Sequence, residues 1–218
     1  MEEQKPLPIL SAEEIRVLGV LLEKSKTTPE YYPMTVNAIT VACNQKTSRK
    51  PVVQYDDQTV ILSLDTLKRK GLISTATGGS SRAIKYKHNF AIVFPVLPAD
   101  VAVIGLLMLR GPQTPGEINT NSGRLYEFET LDEVQEVLER LAGAEVPYIM
   151  QLPRRAGQKE TRYIHLLGGQ PDLSQLEFEE ETITGKPNTE LENRLAKVEQ
   201  ELADLKADFD KLMKELMG

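Results

Sequence analysis

The sequence predicts an α+β fold, mainly helical, in which two related helical units are followed by a C-terminal heptad helix. Residues 56–88 combine a helical apolar period, a basic last turn and two short alternating runs. A similar order of patterns returns in residues 98–168. Leucines spaced alternately four and three residues apart then dominate residues 191–216.

The first unit begins with two predicted helices. Ser11 and Glu14 form a capping box, and an apolar stripe follows in residues 15–22. A polar connection that contains proline leads to Thr35, which can cap a second helix. The residues that we expect to face inward from this second helix are Ile39, Val41 and Ala42.

A third helix is predicted between Asp56, a capping residue, and Gly71, because glycine tolerates the left-handed conformation that ends helices. Its last turn, residues 68–70, is basic and faces the negative end of the helix dipole. Two β-prone runs follow, separated by a turn rich in glycine and serine. A helix with a basic end and a small hairpin is typical of a winged-helix domain, which we place at residues 8–90.

The second unit resembles the first in its residues as well as in its order. Gly19 aligns with Gly105, and Thr28-Pro29 aligns with Thr114-Pro115, both at a spacing of 86 residues. The tetrapeptide KYKH, which ends at His88, aligns with RYIH at a spacing of 77. Two matches in the same order predict a duplication. The predicted fold is therefore two tandem winged-helix domains, with the second at residues 98–168.

The C-terminal part is predicted to be a linker at residues 169–188 and a heptad helix at residues 189–217. The apolar a and d positions of this helix are Leu191, Leu195, Val198, Leu202, Leu205, Phe209, Leu212 and Leu216. The flanking charges attract each other in a parallel pair of helices, so we expect a homodimer. The alternative is a single amphipathic helix that packs on its own chain.

Three runs of residues resemble a known family. They are TTPEYYPMTVNAITVACNQKTSRKPV (27–52), RGPQTPGEINTNSGRLYEF (110–128) and VPYIMQLPRRAGQKETRYIHLLGG (146–169). In these runs the chain is similar to the YceH-like family of bacterial proteins, over roughly residues 8–169. The resemblance implies two winged-helix domains. It implies no activity, substrate or catalytic residue.

Composition restricts the compartment and the class of protein. The single cysteine, Cys43, permits neither an intrachain disulfide nor a cysteine-based zinc site, and it favours a reducing compartment. The N-terminal residues lack the pattern of a signal peptide, so we expect a cytoplasmic protein. The apolar stretch 91–109 has about the length of a membrane span, but two prolines and Asp100 interrupt it. We therefore expect an extended connector, a buried helix from about Ala99, and no membrane contact.

No group of residues predicts catalysis. His88 and His165 occupy matching places in the two units, which indicates a structural role at the base of each hairpin. Cys43 lies on an amphipathic helix and is expected to be a buried thiol. Gly78-Gly79 falls in a turn and not between a strand and a helix, as a phosphate loop requires. We therefore expect no enzyme activity, no metal site and no cofactor.

Charge points to the first unit as the place where a polyanion would bind. Residues 1–90 carry 13 Lys and Arg against 9 Asp and Glu, residues 91–168 carry 7 against 10, and residues 169–218 carry 6 against 13. Duplex DNA should therefore prefer the first unit. Its loop, third helix and wing supply the candidate DNA contacts, which are Lys46, Arg49, Lys50, Gln58, Thr59, Arg82, Lys85 and Lys87.

Both third helices are acidic, which makes them poor readers of base edges. We expect the second wing, with Arg154, Arg155 and Lys159, to contribute less than the first. One hypothesis is a DNA-binding or transcription-regulatory protein that contacts phosphates mainly through the first domain. The other is a protein–protein interaction adaptor without direct DNA binding, whose acidic third helices and terminal helix bind protein partners.

Overall fold

The computed structural model describes residues 6–76, 83–154 and 160–172, together with Lys197. Residues 1–171 form one compact unit, which contains both of the repeated units predicted from the sequence, and a separate segment begins at Asp172. The described residues have an α+β fold with seven α-helices and two antiparallel two-stranded sheets. The helices are α1 (Ala12–Thr27), α2 (Val36–Cys43), α3 (Asp57–Arg69), α4 (Phe90–Val93), α5 (Pro98–Arg110), α6 (Pro115–Ser122) and α7 (Leu131–Ala142). The strands are β1 (Ile73–Ala76), β2 (Lys85–His88), β3 (Ile149–Gln151) and β4 (Tyr163–His165).

Several sequence predictions fall outside the described residues. They concern the linker beyond residue 172, the a and d positions of the heptad helix, and the wing residues Arg82, Arg155 and Lys159. The homodimer and the phosphate contact of Arg82 therefore stay predictions.

The helix ends predicted for the first unit are confirmed. The Ser11 N–H donates to Glu14 Oε2 at 2.8 Å and the Glu14 N–H donates to Ser11 Oγ at 3.3 Å, so both halves of the capping box form. Thr35 caps α2 and Asp56 caps α3, each through a side-chain oxygen. Gly71 follows α3 with a φ of 75°, the left-handed conformation that glycine adopts without strain.

The same order of elements occurs twice in the compact unit. The series α1, α2, α3, β1, β2 is repeated as α5, α6, α7, β3, β4. In each series an isolated bridge pairs the hairpin with the segment that precedes the second helix. Met34 pairs with Tyr86 in the first series, and Gln113 pairs with Tyr163 in the second. The two series therefore share their pairing pattern as well as their order.

One detail of the predicted alignment between the two units needs correction. Thr114 caps α6, and the residue with this role in the first unit is Thr35, which lies 79 residues earlier. Thr28 instead precedes a 3-10 turn, Pro29–Tyr31. The spacing of 86 residues holds for the first helices only, because the first unit contains this additional turn between α1 and α2.

Helices α1 and α5 pack against each other and form the centre of the core. A β-carbon built on Gly19 would lie 3.0 Å from Leu109 Cδ2 and 3.2 Å from Met108 Cβ. A β-carbon built on Gly105 would lie 3.6 Å from Leu22 Cβ. At the spacing of 86 residues Gly19 corresponds to Gly105 and Leu22 to Met108, so the two helices make this contact reciprocally.

Two local expectations are wrong. Val41, which the sequence predicts to face inward, is 62% exposed. The buried face of α2 is formed by Ile39, Ala42 and Cys43, and Val41 lies on the opposite side of this helix. The connector predicted to be extended contains α4, where Phe90 packs on Phe94 with ring centroids 4.9 Å apart. Phe94 then meets Tyr148 edge to face at 5.8 Å, which joins the connector to the second unit. None of the described helices is long and apolar enough to cross a bilayer.

Candidate nucleic-acid interface

Arg49, a predicted phosphate contact, is buried in the loop between α2 and α3. Its Nη1 donates to Glu23 Oε1 at 3.0 Å, and its Nη2 donates to Glu23 Oε2 at 2.6 Å. The guanidinium also donates to the carbonyl oxygens of Ala42 and Ser48 and to the side-chain oxygen of Gln45. Because a guanidinium has five N–H groups, these five hydrogen bonds leave no donor for a phosphate.

The ion pair between Arg49 and Glu23 has a structural role. Burial raises the pKa of the Glu23 carboxyl, but the hydrogen bonds and charge of Arg49, with a smaller effect of Lys24, outweigh burial and hold this pKa below its ordinary value of 4.5. The pair links α1 to the loop after α2. We therefore remove Arg49 from the candidate phosphate contacts, in contrast to the expectation from sequence.

Lys46 and Lys50 lie on either side of Arg49 along the chain, and both are exposed. Within the described part of the chain, neither ammonium group has a hydrogen bond or an ion pair. The loop backbone is nevertheless fixed, because the Lys50 N–H donates to the carbonyl oxygen of Leu109 at 2.8 Å. The two lysines are thus exposed cations on an anchored loop.

A second pair of candidate lysines lies on strand β2. Lys85 is opposite Ala76 and Lys87 is opposite Ser74 in the pairing with β1. Lys87 is exposed and Lys85 is half-buried. No acidic group of the described residues neutralises either side chain. The hairpin therefore carries two further cations that are available to an anion.

The first turn of α3 is less suited to phosphate. Gln58 is exposed and Thr59 is half-buried. The Thr59 N–H donates to Asp56 Oδ1 at 2.8 Å, and hydrogen bonds from Thr59 hold the pKa of this carboxyl below its usual value. Asp57 accepts a hydrogen bond from Thr40 at 2.6 Å. Two carboxylates therefore accompany Gln58 and Thr59 and would repel a phosphate.

In the second repeated unit, two arginines form ion pairs within the fold. Arg162 donates to both carboxylate oxygens of Glu117, at 2.8 and 3.0 Å, and Arg140 pairs with Asp100 at 2.5 Å. Arg154 is exposed. The exposed carboxylates of α7 are Asp132, Glu136 and Glu139. This unit therefore presents a surface that is less favourable to duplex DNA than that of the first unit.

The histidines and the cysteine are packed into the fold. His88 and His165 each lie opposite an isoleucine in their hairpins. Burial lowers the pKa of both imidazoles to about 4, with a smaller contribution from Lys26 at His88. Burial raises the pKa of the Cys43 thiol to about 12, which disfavours the nucleophilic thiolate. The described residues contain no group of His, Cys, Asp and Glu side chains that could hold a metal ion.

Sequence reasoning missed three cations that share a cleft with Lys46. They are Lys24, Arg110 and Arg124. Lys24 and Arg110 are 86 residues apart, so they occupy equivalent positions near the ends of α1 and α5. The repeat could have grouped these two residues. No local pattern relates them to Lys46 or Arg124.

Comparison with known proteins finds one matching family model and several similar proteins. Residues 10–158 match the family model described as "Protein of unknown function, DUF480". A UPF0502 protein of Opitutus terrae is 48% identical over 174 residues, which cover 79% of this chain and 76% of that protein. UPF0502 proteins of Shewanella putrefaciens and of Shewanella sp. (strain ANA-3) are 42% and 41% identical. Both alignments cover 95% of this chain and 99% of those proteins.

Proposed function

The chain belongs to the DUF480 family, whose members include UPF0502 proteins, and we propose that it binds duplex DNA. Binding is weak and largely independent of sequence, and it occurs through the first of two winged-helix domains. The protein acts as a DNA-binding or transcription-regulatory protein and not as an enzyme. The family description assigns no activity, so the proposal depends on the residues of this chain.

The observation that carries the proposal is the difference between two groups of cations in the first unit. Arg16 and Arg49 are buried and donate to acceptors within the fold. The lysines Lys46, Lys50, Lys85 and Lys87 have no side-chain partner in the described residues. Unpaired ammonium groups on a loop and a hairpin suit phosphate contacts, which position a protein without reading bases.

The order of elements supports the winged-helix assignment of each unit. Three helices precede a two-stranded hairpin, and a short bridge joins the hairpin to the segment before the second helix. In a domain of this kind the third helix enters the major groove. Here the carboxylates at the start of α3 oppose approach of this helix to the duplex, so the proposed phosphate contacts come from the loop and the hairpin.

Salt dependence of binding to a random-sequence duplex tests the proposal. Each phosphate contact releases condensed counterions, so the affinity should fall steeply with salt. The double variant Lys50→Glu, Lys87→Glu should bind all sequences more weakly and lower the logarithmic salt slope by about one for each phosphate that is no longer neutralised. Fluorescence anisotropy with a labelled duplex measures both quantities.

Arg154→Glu is the matched control, because it reverses an exposed cation in the second unit. It should change the affinity and the salt slope less than reversal of the two lysines does. Absence of duplex binding at low salt, or an equal effect of Arg154→Glu, would contradict the proposal.

A second function, a protein–protein interaction adaptor, is favoured by the surface of α7. Its exposed carboxylates, together with Leu131, which is 49% exposed, could bind a basic protein segment. In this alternative the intact protein binds no duplex. The homodimer through the C-terminal heptad helix is compatible with both functions.

A further inference from the structure

A polar cleft of about 340 Å³ lies within the compact unit, between its two repeated series of elements. Its walls are the end of α1, the loop at residues 45–48, the end of α5, and residues 121–125. These walls come from similar parts of the repeat, namely the end of the first helix and the region around or just after the end of the second helix. The volume falls within the range of about 300–1,000 Å³ that is typical of small-molecule sites.

The charge of the cleft differs in sign from the net charge of −6 of the chain. Four cations line it, namely Lys24, Lys46, Arg110 and Arg124. Glu23 is its acidic residue, and the bidentate hydrogen bonds from Arg49 already occupy this carboxylate. Lys24 makes only a longer contact with Glu23, at 3.4 Å. The balance of the lining is therefore positive.

The cations are held in place to different degrees. Arg110 Nη2 donates to Ser48 Oγ at 2.8 Å, which orients its guanidinium across the cleft wall. Burial lowers the pKa of Arg110, and the charge of an anionic partner would act in the opposite direction and favour the charged guanidinium. Lys46 and Arg124 are exposed, and their side chains have no partner in the described residues. One fixed and two adaptable cations thus border the same space.

A neutral group in the lining also needs a partner. The hydroxyl oxygen of Thr27 is buried and has no hydrogen-bond partner among the described residues. Buried hydroxyl groups are normally hydrogen-bonded, because leaving one unpaired is unfavourable. A ligand with several acceptor oxygens would satisfy both this hydroxyl and the cations.

We propose that the cleft binds a phosphorylated small molecule, of the class of sugar phosphates and nucleoside monophosphates. Its phosphoryl oxygens lie between Arg110, Arg124 and Lys46, where they accept charge-assisted hydrogen bonds, which are stronger than neutral ones. The remainder of the ligand contacts the threonine side chains at the end of α1. A duplex would instead follow an open surface, whereas the walls of this cleft are two helix ends and the segments at residues 45–48 and 121–125. The site shares Lys46 with the proposed DNA surface, but it does not depend on the DNA-binding proposal.

Calorimetric titration of the full chain with inorganic pyrophosphate and with adenosine monophosphate, at low salt, tests this site. Both probes should bind with one site per chain and raise the melting temperature. Arg124→Gln should weaken binding at least about tenfold, because it removes a charged hydrogen-bond donor. Arg69→Gln is the matched control, since Arg69 is also an exposed arginine but does not line the cleft. Its affinity should stay within about twofold of wild type.

Three results would overturn the proposal. The first is failure of both probes to bind in the millimolar range. The second is an equal loss of affinity in the two arginine variants, which would indicate general attraction of anions. The third is displacement of pyrophosphate by a short duplex whose own binding is weakened by Arg124→Gln, since the cleft would then belong to the DNA surface. Retention of small-molecule binding in the variant Lys50→Glu, Lys87→Glu would separate this site from the DNA contacts.

Discussion

Substitution of Arg49 by methionine tests whether this cation belongs to the core or to a phosphate-binding surface. The Arg49 side chain is fully buried, and that of Glu23 is 15% exposed. Arg49→Met leaves the Glu23 carboxylate largely buried without its partner and removes donors from two backbone carbonyls. Breaking a buried pair on one side typically destabilises a protein by about 3–5 kcal/mol. We expect a loss in this range in the free energy of unfolding, measured by urea titration.

A double-mutant cycle then isolates the contribution of the pair. In the double variant Glu23→Leu, Arg49→Met no unpaired charge remains, so part of the stability should return. The coupling between the two substitutions should be about 1–3 kcal/mol. Lys50→Met is the control, because this neighbour is exposed and should change stability by less than about 0.5 kcal/mol.

The pH dependence of the Arg49 effect follows from the lowered pKa of Glu23. The contribution of the pair should be complete above the ordinary value of 4.5 and lost as the pH falls through the lower folded value. The difference between wild type and Arg49→Met should therefore narrow in acid. A stability loss below about 1 kcal/mol, combined with a reduced salt slope for DNA, would refute the structural role of Arg49.

Three further predictions concern the histidines, the helix contact and the assembly. The folded pKa of about 4 at His88 and His165 lies below the ordinary 6.5, so stability should fall as the pH drops from 6.5 towards 4, by up to about 3 kcal/mol for each imidazole. The double variant His88→Gln, His165→Gln should flatten this part of the pH profile of stability, measured by urea unfolding. An unchanged dependence of stability on pH would show that the two imidazoles do not cause it. Gly19→Val should destabilise by about 1–3 kcal/mol through overpacking against Leu109, whereas Gly105→Ala should be tolerated and add up to about 1 kcal/mol of helix propensity in thermal unfolding. Equal effects of the two substitutions would contradict the closer packing around Gly19. Truncation after Lys186 should halve the mass in light scattering if the heptad helix dimerises, and an unchanged mass would exclude that interface.

The parts of the fold that sequence analysis predicted depend on local interactions. The capping box of Ser11 and Glu14 joins residues three apart, and Gly71 ends α3 by its own backbone conformation. Such signals are complete within one helical turn. The hairpins and the repeated order of elements followed from similarly short patterns.

The parts that sequence analysis missed depend on tertiary contacts. Arg49 resembles a surface cation in the sequence because its partner, Glu23, lies 26 residues earlier on a different helix. Thr28-Pro29 and Thr114-Pro115 have the same residues, but only the second pair begins an α-helix. The cleft joins Lys24 to residues about a hundred positions away, and only the packing of α1 on α5 brings them together.

The reciprocal contact between α1 and α5 has an evolutionary consequence. In a symmetric dimer of single units, residue i of one copy meets residue j of the other and the reverse, as Gly19 with Met108 and Gly105 with Leu22 do here. In such a dimer every substitution changes both sides at once. Once the two units share one chain, the residues on each side of the contact can mutate independently. The charge balances of the two units differ, with +4 in residues 1–90 and −3 in residues 91–168. Under the predicted duplication, fusion of the units would allow one half to stay basic while the other became acidic.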